Sequence, residues 1–122
     1  MATVVTNVGK GIIWNRMLGS GTEAKYVAWG TGSTTAAITQ TALVAESAEA
    51  RTNGTSSRIT TTTTNDTYQV TGTITSASGQ TIAESGLFDA STTGNMFTRG
   101  DFTGVALLTG ESIAFTWTVQ AT

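Results

Sequence analysis

An all-β fold, a single-domain β-sandwich with one short N-terminal helix, is what this sequence predicts, and three observations predict it. Thr and Ser supply 38 of the 122 residues and Gly another 14; threonine, branched at Cβ, favours extended backbone, and glycine supplies turns. Apolar and hydroxyl side chains alternate at period two in several segments, the pattern of a half-buried strand. Turn signals recur about every 8 to 15 residues from Asn53 onward, close to the spacing in sandwiches and barrels. A chain of 12.6 kDa has room for one core. With 39% hydrophobic residues, and Trp14, Trp29, Trp117, Phe88, Phe97, Phe102 and Phe115 spread along its length, it is not the composition of a disordered chain.

In chain order, residues 1–11 read as an N-terminal arm and residues 12–122 as the sandwich domain. Thr3, Val4, Val5 and Val8 in the arm have no evident core partner, and Gly9-Lys10-Gly11 reads as a flexible joint. Such β-branched residues suit an assembly arm that orders on a neighbour's sheet edge, where backbone hydrogen bonds supply affinity. From Gly11 to Leu18, Ile13 with Met17 and Trp14 with Leu18 fall at i and i+4, and Gly19 is placed as a left-handed stop, so a short helix is expected. Ala24 to Trp29 reads as a strand. Thr35 to Arg51 mixes an Ala-rich helical signal with hydroxyls and is read as a long connection.

The run Ile59 to Thr64, the turn Asn65-Asp66 and the alternating Tyr68 to Thr75 form an expected hairpin. Thr81 to Phe88, Asn95 to Arg99 and Val105 to Leu108 add strands, separated by Ser78-Gly79, Thr93-Gly94-Asn95 and Thr109-Gly110. The clearest strand is the last, where Ile113, Phe115, Trp117 and Val119 alternate with Ala114, Thr116, Thr118 and Gln120 and so share the core face.

The same composition bounds the chemistry. With no His and no Cys, imidazole bases, thiolate nucleophiles and disulfides are excluded, and the usual nitrogen and sulfur metal ligands are missing. Charged residues are 11% and the net charge is −2, so there is no basic footprint for nucleic acid or for an anionic membrane surface. No apolar run approaches the length of a membrane span, and Met1 to Lys10 lacks the order of a signal peptide, so the protein is expected to be made and used without export. Glu84, Asp89 and Asp101 are the acids within or near strands, but their spacing carries no glycosidase or calcium signature. Glu84 is expected to be structural and paired with Arg99, with Arg58 as the other candidate partner. No catalytic, cofactor or metal site is expected.

The segments Ala24 to Gly32, Leu43-Val44-Ala45-Glu46 with Arg51, Asn65 to Val70, Ile82 to Asp89, Arg99-Gly100-Asp101-Phe102 and Glu111-Ser112-Ile113 together resemble a family of small tailed-bacteriophage structural proteins, labelled head decoration (cement) protein or tail fibre protein. The resemblance runs from about Ile12 to Val119. It implies a jelly-roll-like sandwich that forms symmetric oligomers on the capsid surface, with the major capsid protein as partner. A homo-oligomer, and a trimer to match local three-fold axes of a shell, is expected, made in the host cytoplasm and located in the virion. A tail or head fibre subunit with a receptor- or glycan-binding role is the alternative. The prolines common in this family between Ser33 and Gln40 are replaced here.

Overall fold

The computed structural model describes all of Met1–Thr122 and is a two-layer β-sandwich of eight strands and one helix. In chain order the elements are β1 (Ala2–Val5), α1 (Asn7–Met17), β2 (Tyr26–Gly30), β3 (Thr52–Asn53), β4 (Thr55–Ile59), β5 (Thr67–Thr75), β6 (Gln80–Phe88), β7 (Met96–Leu107) and β8 (Ser112–Gln120). One sheet has the order β1-β7-β6-β2-β3 and the other β4-β5-β8, with every pairing antiparallel. The chain changes sheet at Gly54, between β5 and β6, and between β7 and β8.

The main core lies between the layers. Val27, Trp29, Ile82, Leu87 and Phe97 of the larger sheet meet Val70 and Ile74 of the smaller, with Phe115 and Trp117 packed against them. The alternation read in β8 faces as expected, but Ile113, Phe115, Trp117 and Val119 are half-buried because β8 is a sheet margin with no neighbour beyond it. A second cluster of Ala28, Leu43, Phe88 and Met96 occupies the far face of the larger sheet, where the connection Thr31–Arg51 lies across it. Buried on both faces, β2 from Val27 and β6 from Ile82 have continuous runs of buried residues rather than alternation.

Three sequence expectations need correction. The segment read as a free arm is part of the domain: Thr3, Val4 and Val5 lie in β1 and pair with Gly100, Arg99 and Thr98 of β7, so their backbone groups are bonded within the chain. Val8 lies in the first turn of α1, exposed. The helix starts at Asn7 instead of Gly11, because Thr6 caps it: its hydroxyl accepts the Gly9 N–H at 2.8 Å and donates to the Met96 carbonyl at 2.6 Å. Gly9, read as part of a joint, is helical and lets α1 lie against β7; a Cβ there would overlap the Phe97 carbonyl. The stop falls where expected, with Gly19 at φ 79°.

The third correction concerns the threonine run. Thr60–Thr64 is the hairpin loop, and the strand before it is Thr55–Ile59. Asp66 organises that loop by accepting the N–H groups of Thr61, Thr62 and Thr63 at 2.9, 3.1 and 2.9 Å. Local side-chain acceptors of this kind compete with a ladder for the same donors.

Candidate functional site

The charged residues expected to matter lie on the outer face of the larger sheet, under the connection Thr31–Arg51. Between the pairs Ile82–Val105 and Glu84–Asp101 the β6–β7 ladder shifts register, with two extra residues on β7, and the period of two in β6 breaks there. Ile82 therefore points into the core while Glu84 points to the other face, where regular alternation would have driven its carboxylate into apolar surroundings. Arg99 on β7 lies beside it; both side chains have 0% exposure, and Arg99 Nε donates to Glu84 Oε1 at 3.0 Å. Arg58, the other candidate partner, is exposed on β4.

Glu84 does more than neutralise Arg99. Its Oε1 also accepts the Val44 N–H at 2.9 Å, and its Oε2 accepts Gly32 N–H at 2.9 Å and Ala45 N–H at 2.8 Å. Arg99 Nη1 donates to the Thr34 carbonyl at 2.8 Å and to Gln40 Oε1 at 3.2 Å. A buried charge is tolerable when its remaining lone pairs and protons are satisfied, and this pair satisfies nearly all of them with loop groups. Arg99 Nη2 has no partner. Gly32 has room only for hydrogen at Cα, because a Cβ would overlap the Glu84 carboxylate. This close approach, and not a positive φ, is the reason for the glycine.

The other acids work the same way. Asp101, opposite Glu84 in the β6–β7 register, accepts the N–H groups of Ala36 and Ala2, both at 3.1 Å. Glu49 accepts Trp29 Nε1–H at 3.0 Å and Ala77 N–H at 2.9 Å. Backbone N–H donation, from Ala36 to Asp101, from Ala77 to Glu49 and from Thr63 and its neighbours to Asp66, holds these three carboxyls below the usual carboxylate range. Glu46 pairs with Arg51 at 2.9 Å, and Arg51 donates to the carbonyls of Ala90 and Thr93 and lies 3.6 Å over the Phe88 ring. Asp89 binds Asn95, Glu111 accepts the Leu108 N–H, and Glu23 receives the Tyr68 hydroxyl. All eight acidic side chains of the chain are thus engaged by other groups of the protein. Glu84 and Asp101 are brought together by register; Asp89 sits apart at the β6–β7 turn.

Two shallow depressions mark the surface. One, of about 280 Å³, lies between Glu46–Arg51 and Ser91–Thr93, and its only charges are Glu49 and the Glu46–Arg51 ion pair. The other, of about 220 Å³, opens between β1 and the end of β8, lined by Thr3, Val4, Val5, Trp117 and Val119 among others. No group of three acidic side chains converges on one point, and no helix is long and apolar enough to cross a membrane.

The feature that sequence reasoning missed is on α1. Gly9 and Ile12 face the sheet and are buried, but Trp14, Met17 and Leu18 are 59%, 73% and 82% exposed. Trp14 stands two positions from Ile12, about 200° around the axis, and Met17 and Leu18 follow it at i+3 and i+4, so the three share the outward face. The signal was in the sequence: apolar residues on both sides of one short helix mean that one side faces something other than the core. Lys10 is exposed on the same helix, and Arg16 is tied to the Gly21 carbonyl at 3.0 Å. Trp29, by contrast, is buried and closed to any ligand, its indole N–H bound to Glu49.

Comparison with protein-family models, with curated proteins and with solved structures found no match for this chain.

Proposed function

We propose that this chain is a virion structural protein, a decoration or cement protein that binds the outer surface of a bacteriophage head and stabilises the shell. The observation that carries the reading is the outward face of α1. Trp14, Met17 and Leu18 form an exposed apolar cluster on one helix face of a chain rich in Thr and Ser, and such clusters on a small domain mark contact with another protein. The resemblance of the Ala24–Gly32, Ile82–Asp89 and Arg99–Phe102 segments to small phage structural proteins supplies the partner, the major capsid protein.

The use of the charged groups supports the same reading. Carboxylates that accept two to four hydrogen bonds from their own chain hold loops in place and are not free to act as acid, base or nucleophile. A cement protein gains shell stability from many copies, each with modest contacts, and calls for no reactive group. Homo-oligomerisation and a place on the capsid surface belong to this reading.

The test is reconstitution. Purified protein is added to heads that lack it, and bound copies are counted by mass spectrometry. The wild type is expected to bind heads and not isolated tails; Trp14→Ser with Leu18→Ser is expected to lose binding while its melting temperature stays within a few degrees, since both side chains are exposed. Binding to tails, or undiminished head binding by the double variant, refutes the assignment or its surface.

A further inference from the structure

Four strands lie at sheet margins, and three are short or charged. β1 has four residues, β3 two, and β4 five including Arg58. β8 is different: nine residues, Ser112 to Gln120, with no charge, no proline and nine consecutive partners on β5 without a register shift. Proteins blunt long sheet margins with charges, prolines or bulges, because unpaired backbone groups there capture other strands. β8 carries none of these.

The ladder says which groups are free. Ala121 N–H reaches the Asp66 carbonyl at one end and Ser76 N–H reaches the Glu111 carbonyl at the other. Hydrogen-bonded pairs alternate with non-bonded ones in an antiparallel ladder. Counting inward from both ends, Ile113, Phe115, Trp117 and Val119 bond to β5, and Ser112, Ala114, Thr116, Thr118 and Gln120 point N–H and C=O to the open side.

We propose that this margin pairs with β8 of a second copy, antiparallel, about a two-fold axis at Thr116. In that register Thr116 meets its own counterpart, Ala114 meets Thr118 and Ser112 meets Gln120, so every outward-pointing residue faces another. Five residue pairs result, each exchanging two hydrogen bonds. Two-fold pairing keeps the faces of the sheet, so the apolar row Ile113, Phe115, Trp117, Val119 continues across the joint, Phe115 opposite Trp117 and Ile113 opposite Val119. The charge pattern favours a second copy as occupant: an uncharged strand does not repel itself, and Glu111, just outside it, falls opposite Ala121 and not opposite another acid. The added strand also covers the gap of about 220 Å³ between β8 and β1, where Val4, Val5, Trp117 and Val119 are half-buried. A contact of this kind is isologous and closes at two subunits, in contrast to the trimer expected from shell symmetry. It does not depend on the protein being a capsid component.

Sedimentation and native mass spectrometry of the full chain at micromolar concentration test it, with an expected mass twice the 12.6 kDa of one chain. In Thr116→Pro the lost N–H is one that points outward, so the ladder to β5 is kept. That variant should retain its far-ultraviolet circular dichroism and sediment as a monomer, its dissociation constant raised at least about tenfold. Thr116→Lys, which leaves the backbone intact, places two ammonium groups across the axis; it should weaken the dimer at low salt, and mixing with Thr116→Glu should restore a mixed dimer. A wild-type monomer, a mass of three chains, or a dimer unaltered by both Thr116→Pro and Thr116→Lys overturns the proposal.

Discussion

Replacing Glu84 by alanine removes the acceptor of four hydrogen bonds at once. Val44 and Ala45 lie at the surface, so their N–H groups reach water once the loop shifts, whereas Arg99 has 0% exposure and no such escape. The stranded guanidinium is therefore the larger effect. Breaking one partner out of a buried ion pair costs about 3–5 kcal/mol, a large part of the roughly 5–15 kcal/mol by which a domain is stable. Arg99→Ala should cost less, about 3 kcal/mol, because the Glu84 carboxylate keeps three backbone donors. The double variant strands no charge and should be no less stable than Glu84→Ala alone, a coupling of at least about 3 kcal/mol. Urea unfolding of the four proteins, followed by circular dichroism, gives these values. A loss below about 1 kcal/mol in Glu84→Ala, or additive losses in the double variant, would refute the reasoning.

Stability should also fall in acid: Glu49, Asp66 and Asp101 have depressed folded-state pKa values, so their contribution is complete above the unfolded value near 4 and is lost as pH drops through the lower folded ones. A melting temperature flat from about pH 7 to 5 and declining below about 4 is expected, and one unchanged to about pH 2 contradicts it. Two glycines of α1 should respond with opposite signs. Gly11 has open space beside it and Gly11→Ala should stabilise by about 0.5–1 kcal/mol, while Gly9→Ala should destabilise by about 1–3 kcal/mol because its Cβ would overlap the Phe97 carbonyl; thermal melts that rank them the other way refute the packing of α1 on β7. Trp117→Ala should cost about 2–3 kcal/mol, less than a fully buried tryptophan, since the ring is half-buried and its N–H bonds Ser85 at 3.1 Å.

What was legible in the sequence was local. Alternation found β5 and β8, turn signals on either side bounded β6, and Gly94, Gly110 and Asn65 adopt the positive φ that their turn positions imply. The start of α1 was hidden because Gly9 and Gly11 read as breakers; Gly9 is there for its small size against Phe97, a contact 88 positions away in sequence that no window detects. The threonine run was misread because β-propensity was counted without the acceptor three to five residues downstream, Asp66. Glu84 and Arg99 could be singled out as strand charges in an apolar setting. That Glu84 grips Gly32, Val44 and Ala45 could not, because it depends on a bulge and on a loop far from it in the chain. In a chain with no proline, such carboxylates do the stiffening of long connections, and only their scarcity hinted that each has an assigned place.

The pairing of β1 with β7 orders events during synthesis. Ala2 and Val5 bond opposite Asp101 and Thr98, and the Thr6 hydroxyl that caps α1 is itself held by Met96. The first strand and helix emerge from the ribosome long before their partners exist, and Val4, Val5 and Ile12 stay unpaired until most of the chain has followed. The fold accordingly closes late, as one event that joins β1 and α1 to β7, and contacts of such span place it among the slow folders, on the order of milliseconds to seconds. A nascent chain interrupted before Met96 lacks the strand that receives its own beginning.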